Sequence, residues 1–412
     1  MTVLLRNLRT FKSLSNRSFR LYSANNLLSM AAVNMQGMAR SLLIYRLTKS
    51  PAILGVANVG FLLPVLLLSP IGGLLADRMK KKYLVIAGQI EGALPGLVVA
   101  VFLSTGYLST EHPSSWWVVM LAYVIDGIGI GLTGPSFQAM IREIVGAEQT
   151  MNAVAINNLG SNILRVVGPL VAGVIVAVSG FATLFYVVAA LILAGNFFLI
   201  FLPAISPQIT AAARRPLANI REGFTYVRRD PTLMLVLGFL MLVVLLSMPY
   251  GALMPVFSDS ILKVGAEGLG FLISVSGVGA TLVSVIIASL PNKRRGPMLL
   301  AGALLLAVTL VGFSFSTLWE LSLVLIFFVG LGDAVRMTVG TAVLLYYSDQ
   351  SYWGRVMSLQ SMQWGLSGLG ALFAGLLAQE VGAQWAVGGF AAVLVVVTVL
   401  TWAFVPRLRR LD

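Results

Sequence analysis

Six charged side chains interrupt long apolar runs of this sequence: Arg40, Glu91, Asp126, Arg165, Asp333 and Arg336. An ion left without a partner in hydrocarbon costs at least about 3 kcal/mol, so such groups persist where they pair or work. The work open to them is proton transfer, because a desolvated carboxyl can be loaded or emptied by the approach and retreat of a cation. Asp126 lies near the middle of its run, in Val124-Ile125-Asp126-Gly127-Ile128-Gly129, with Arg165 or Arg40 as the mobile cation. Asp333 stands three residues before Arg336, a spacing that lets the two pair along one helix. Glu91 is followed one turn later by Pro95-Gly96, which bends a helix. Other chemistries find little here. The chain has no Cys, one His (His112) and no Gly-x-x-x-x-Gly-Lys-Ser/Thr loop. That excludes thiolate or His-cluster metal sites, a His-dependent nucleophile and ATP hydrolysis, so neither an enzyme nor a cofactor is expected.

The elements that must position these charges are membrane spans. The composition is 58% hydrophobic and 10% charged, with a mean hydropathy of +0.92. The apolar runs are roughly 18 to 25 residues long, enough to cross about 30 Å of hydrocarbon. They fall near 19–45, 52–76, 83–104, 116–139, 153–178, 181–203, 232–257, 268–290, 298–316, 319–346, 355–379 and 384–405. The fold class expected is therefore all-α integral membrane, with twelve transmembrane helices. Two of them carry one-sided polar stripes: Tyr22, Asn26, Ser29, Gln36 and Arg40 in span 1, and Asn158, Ser161, Asn162 and Arg165 in span 5. A third stripe, Gln360, Gln363, Trp364 and Ser367 in span 11, joins Met248, Pro249, Tyr250 and Met254 of span 7 as candidate walls of a soft, adaptable pocket. From these stripes Asn26, Gln36, Asn158, Asn162, Tyr250, Gln360, Gln363 and Trp364 are the substrate-binding candidates.

Charge gives the orientation. Of 28 Lys and Arg, twenty-two fall in segments that share one side of the membrane; Arg46, Lys49 and Lys263 fall on the other, and three lie within spans. Basic loops stay cytoplasmic, so both termini are expected inside. The net charge of +13 is thereby explained with lipid headgroups as counter-surface, and no nucleic-acid partner is expected.

The halves repeat. An offset of 202 aligns Asn158 with Gln360, Gly168 with Gly370, Ala172-Gly173 with Ala374-Gly375 and Gly180 with Gly382. Lys80-Lys81-Lys82 before span 3 likewise answers to Lys293-Arg294-Arg295 before span 9. The expected organisation is an N-terminal six-helix half (1–203), a Pro- and Arg-rich cytoplasmic linker (204–231) and a C-terminal six-helix half (232–412), related by a pseudo-two-fold axis.

The loop after span 2 reads Gly73-Leu74-Leu75-Ala76-Asp77-Arg78-Met79-Lys80-Lys81-Lys82. It resembles the signature of the major facilitator superfamily, Gly-x-Leu-x-Asp-Arg-x-Gly-Arg-Lys, with Lys80 in place of the second Gly. Gly168-Pro169 with Gly173 in span 5 is similar to the fifth-span motif of drug and proton antiporters, although Leu164 stands where that motif has Gly. Arg165-Val166-Val167-Gly168-Pro169 and Gly354-Arg355-Val356-Met357-Ser358-Leu359 resemble the branch of siderophore and macrolide exporters. The resemblance implies two bundles that alternate access, gated by Gly73, Asp77, Arg78, Gly168, Pro169 and Gly173. It also implies a cavity ringed by spans 1, 4, 7 and 10, which makes Asp126 the first choice of proton carrier and Arg40, Arg165, Asp333 and Glu91 its coupling partners, with span 3 as peripheral support. The function so implied is export of an amphipathic small molecule against protons across a bacterial inner membrane, by a monomer in contact with membrane lipids. The alternative is a lipid or lysolipid transporter or uniporter of the same fold without proton coupling, favoured if Asp126→Asn keeps its activity.

Overall fold

The computed structural model describes residues 13–203, 216–289 and 293–411, and its long elements are helices. Spans 1 to 3 are Arg17–Thr48, Pro51–Arg78 and Lys81–Ser104. One helical run, Trp116–Ile200, is turned at Gly146 and Gly180 and so supplies spans 4, 5 and 6 (116–145, 147–179 and 181–200). After a linker helix, Pro216–Arg229, span 7 runs in three pieces: Pro231–Ser247, Pro249–Val256 and a π-helical turn, Phe257–Ile261. Spans 8, 9 and 10 are Gly265–Ser289, Arg295–Phe315 and Trp319–Tyr346. Span 11 is split at Met362 into Trp353–Ser361 and Gln363–Val381, and span 12 is Ala383–Phe404. The basic residues Arg6, Arg9, Lys12, Arg214 and Arg215 lie outside the described residues.

Every expected span is a helix, yet among the described residues only nine helices are long and apolar enough to cross a bilayer by themselves. The difference is physical. Spans 5 and 6 run on as one stretch, Glu148–Ile200. Polar residues dilute span 1, and they dilute span 11 as well, through Ser358, Gln360, Ser361, Gln363 and Ser367.

Local sequence sets the helix ends. Asn16 Oδ1 accepts from the Ser18 and Phe19 amides (2.9 and 3.3 Å) and starts span 1; Asp230 Oδ1 accepts from Thr232 and Leu233 (2.7 and 3.2 Å), ahead of Pro231, and starts span 7. Gly180 (φ 80°, ψ 173°) and Gly382 (φ 89°, ψ 153°) turn the chain between spans 5 and 6 and between spans 11 and 12, in a region open essentially to glycine alone. These are a repeat pair in one conformation. Gly168 and Gly370, another pair, do equivalent packing. A Cβ on Gly168 would lie 2.9 Å from Asn34 Cβ of span 1, and one on Gly370 would lie 2.6 Å from the Leu245 carbonyl of span 7.

Contacts divide the chain into two units, one of residues 1–40 and 63–214, the other of 41–62 and 215–412. The first has a core of Phe19, Tyr22, Val85, Met140, Ile141 and Leu199. Tyr22, expected on a polar stripe, is fully buried there, and its hydroxyl donates to the Phe137 carbonyl (3.2 Å). In the second unit, span 9 buries Leu299, Leu300, Leu306, Leu310 and Phe313, with Phe313 against the Phe257 ring at 5.0 Å. Residues 41–62 belong to this unit because Arg46 donates through Nε and another guanidinium nitrogen to both oxygens of Asp259 (2.8 and 3.0 Å), and the Tyr45 and Ser260 hydroxyls meet at 2.6 Å. Backbones also touch: a Cβ on Gly55 would lie 2.7 Å from the Ala371 carbonyl, and one on Gly375 would lie 2.6 Å from that of Pro51.

Candidate functional site

The first unit concentrates its charge around Arg40. Gln36 and Arg40 are one turn apart on span 1, and both are buried, Arg40 at 3% exposure. Span 4 presents Tyr123, Asp126 and Gly129 at three-residue spacing, the repeat of one helix face. The Arg40 Nη1 donates to Asp126 Oδ2, and with the Gln36 amide turned so that its oxygen faces the guanidinium, that oxygen accepts from Arg40 Nε at 3.3 Å and from Nη2. The Tyr123 ring lies 5.6 Å from the guanidinium carbon, within cation–π range. Arg40 is therefore held on every side.

Asp126 is half satisfied. It is 8% exposed, and its Oδ1 has no hydrogen-bond partner among the described residues. Glu91, from span 3, has neither oxygen paired among them, and both oxygens are buried. Its Oε2 lies against Gly129, so close that a Cβ there would collide with it. Glu91, Asp126 and Gln36 line one cavity of about 250 Å³ together with Ser29, Gln89 and Thr133. Its space comes partly from lining glycines such as Gly92 and Gly134, where a Cβ would meet nothing within 4 Å. Gln89 braces the wall: it accepts from Asn25 Nδ2 (2.8 Å) and donates to Asn25 Oδ1 (3.1 Å) and Ser29 Oγ (2.9 Å).

The second unit has a corresponding pair in its own fourth span. Asp333 Oδ1 accepts from Arg336 Nε and Nη2 (2.9 and 2.6 Å), and Arg336 Nη1 donates to Gln363 Oε1 (3.2 Å). Gln360 Nε2 donates to Thr341 (2.6 Å). Gln360 Oε1 and Gln363 Nε2, which flank the break in span 11, have no partner among the described residues. Broken spans commonly place such polar atoms at transport sites. Each unit thus carries an Asp–Arg pair whose Asp lies on its own fourth span, but the first holds Glu91 in addition, and span 9 offers no charge at its centre to match it.

The remaining candidates fall in several places. Asn158, Asn162 and Arg165 are exposed on one face of span 5, and Arg165 makes no ion pair among the described residues; the partner of Asp126 is Arg40. A cationic face on so apolar a helix must look onto water and not lipid. Asn26 is buried at 1% exposure, Tyr250 is half-buried and Trp364 is 58% exposed. Gly168, Pro169 and Gly173 are buried inside span 5. Gly73 and Arg78 are in the last turns of span 2, half-buried and exposed respectively, and the Asp77 side chain lies outside the described residues. Sequence reasoning missed Gln89, Tyr123, Gly129 and the Arg46–Asp259 pair. One usable signal was the four-residue spacing of Gly88, Gly92 and Gly96, which opens one face of span 3.

Comparison with known proteins points the same way as this arrangement. Residues 8–412 match the profile of a family of major facilitator proteins described as transmembrane secretion effectors. The chain is 27% identical over 387 residues to YfiS, an MFS-type transporter of Bacillus subtilis (strain 168), covering 88% of this chain and 86% of that one. It is 26% identical over 357 residues to the enterobactin exporter EntS of Shigella boydii, covering 84% and 81%. Its fold is similar to that of the nucleoside transporter NupG (TM-score 0.70, 15% identity, 95% of this chain and 99% of that one). It is also similar to a bacterial homologue of the human lysosomal transporter Spinster (TM-score 0.74, 12% identity, 96% and 99%). Twelve helical spans, the repeated glycines, the Asp–Arg pairs and a profile match over nearly the whole length establish that the chain is a multi-pass transporter belonging to the transmembrane secretion effector family of the major facilitator superfamily.

Proposed function

We propose that the protein exports an amphipathic small molecule from a bacterial cytoplasm in exchange for protons, with Glu91 and Asp126 sharing the transported proton. The observation that carries this reading is the charge balance at the inner cavity: two carboxylates in its wall, one guanidinium bonded to one of them, and three carboxylate oxygens without hydrogen-bond partners among the described residues. Arg40 neutralises one carboxylate. The second needs a proton or a cation, since an uncompensated charge at that depth is disfavoured by several kcal/mol. Binding of substrate near the cavity that moves span 1 against span 4 changes the Arg40–Asp126 contact, and with it the affinity of the pair for the proton. Alternating access then carries substrate and proton in opposite directions. Export is supported by the similarity to EntS, a bacterial membrane by the bacterial relatives, and cytoplasmic termini by the basic loops.

Everted vesicles acidified inside provide the test. Addition of a transported compound from a panel of macrolides, siderophores and lipophilic cations is expected to alkalinise the lumen in wild type, and this response is expected to be lost in both Glu91→Gln and Asp126→Asn. Substrate uptake without proton movement, or proton movement intact in both variants, would sink the exchange mechanism and favour a uniporter or a lipid carrier.

A further inference from the structure

Glu91 lines two spaces. One is the inner cavity; the other is a groove of about 270 Å³ between spans 3 and 4, walled by Leu94, Pro95 and Val98 on one side and Trp117 and Leu121 on the other. Leu94, Val98, Trp117 and Leu121 are 46 to 56% exposed, so this groove opens on the apolar surface that a membrane protein turns to lipid. A larger groove of about 510 Å³, between spans 7 and 12, has no charged residue in its lining. The groove of spans 3 and 4 differs in ending on an anion.

We infer that the lipid-facing groove between spans 3 and 4 is a binding site for a cationic amphiphile, which lays its tail along Leu94, Val98, Trp117 and Leu121 and places its charged head on Glu91. Charge selects this occupant. The charged groups near Glu91 are Asp126 of span 4 and Arg40 of span 1, and Arg40 is already engaged by Asp126 and Gln36. A neutral ligand leaves Glu91 unpaired and an anionic one is repelled. A quaternary or protonated amine satisfies it. Size narrows the class further: groove and cavity each fall below the ~300–1,000 Å³ of ordinary small-molecule pockets, which suits one alkyl chain or a small ring system with a compact head. Proton and ammonium then compete for one carboxylate, and the ligand arrives from the bilayer, where amphiphiles concentrate. This inference rests on the exchange reading above and names its substrate class and point of entry.

Trp117 in the groove wall supplies a local reporter. The full-length protein in lipid nanodiscs is titrated with (ω-bromoundecyl)trimethylammonium, whose bromine quenches tryptophan at contact, and with neutral bromoundecanol. The expected result is a saturable quenching component with the cation alone. It should disappear in Trp117→Phe and in Val98→Phe, which fills the groove and leaves Glu91 in place, and should weaken at least about tenfold in Glu91→Gln. Lower pH should weaken it in wild type and leave Glu91→Gln unmoved. Equal saturable quenching by the alcohol, or a Glu91→Gln variant that binds the cation as wild type does, overturns the site. Absence of a saturable component in wild type does so too. The titration uses no proton gradient, so binding without coupled proton movement removes the exchange mechanism and keeps the groove, and the converse keeps exchange and removes the groove.

Discussion

Arg40 answers to three partners at once: the Asp126 carboxylate, the Gln36 amide and the Tyr123 ring. Removing one member of a buried ion pair leaves the other charge uncompensated, which typically costs about 3–5 kcal/mol, whereas removing both costs much less. Arg40→Gln is therefore expected to lower the thermal stability of the purified protein sharply, and Arg40→Gln combined with Asp126→Asn to recover most of the loss. A double variant no more stable than Arg40→Gln would show that Arg40 matters through packing instead of through this pair. That a pair existed was legible in the sequence; which arginine formed it was not. Arg40 is 86 residues from Asp126, and the contact depends on how spans 1 and 4 are rotated about their own axes. Apolar helices fix that rotation by packing, and hydropathy is nearly silent on it. The pairing of Asp333 with Arg336 was readable because both lie on one helix, three residues apart.

At the level of elements, the duplicated glycines separate what pattern can tell from what only geometry can. Gly180 and Gly382 align in the repeat and adopt the same positive-φ turn between consecutive spans. An alanine there enters a region that costs a residue with a side chain about 1–3 kcal/mol. Gly180→Ala and Gly382→Ala are each expected to lower the unfolding midpoint of the purified protein. Gly389→Ala, within span 12 where a Cβ would meet nothing within 4 Å, is expected to be neutral or slightly stabilising. Equal effects at all three positions would mean that the turns tolerate a side chain and that the repeat is not expressed in backbone conformation. The span count was legible because each crossing needs a long apolar run. The break at Met362 and the π-helical turn at Phe257–Ile261 were not. Neither has a sequence mark as strong as proline, although Pro255 precedes the π turn by two residues. Both breaks occur beside polar groups that make contacts: Gln360 and Gln363 at the first, Asp259 at the second. Irregular turns inside helices often mark sites of this kind.

Charge distribution over the whole molecule bears on how the chain sits in the membrane. The excess of 28 Lys and Arg over 15 Asp and Glu is gathered in alternate loops, the pattern expected when those loops remain cytoplasmic. Under that orientation the loops after spans 3 and 9 face outward, and those after the linker helix and span 8 face the cytoplasm. The absence of Cys makes the test clean, because each introduced thiol is the single one in the chain. Glu111→Cys and Thr317→Cys, one exposed site from each half, are expected to react with a membrane-impermeant maleimide in intact cells. Arg229→Cys and Lys293→Cys, also exposed, are expected to react only after permeabilisation. Agreement between the halves matters as much as the side labelled. The six-plus-six repeat requires Glu111 and Thr317 to share one side, since the loops that carry them occupy equivalent places, and a split result would break the repeat as a topological unit. A uniform reversal would keep the repeat but point both termini outward. Glu91 and Asp126 would still exchange protons with the same cavity, and because an obligate exchanger moves its substrate against the proton flow whichever way it is inserted, the inward proton gradient would still drive export; a reversal would overturn the cytoplasmic placement of the termini and leave the exchange mechanism to the vesicle measurement.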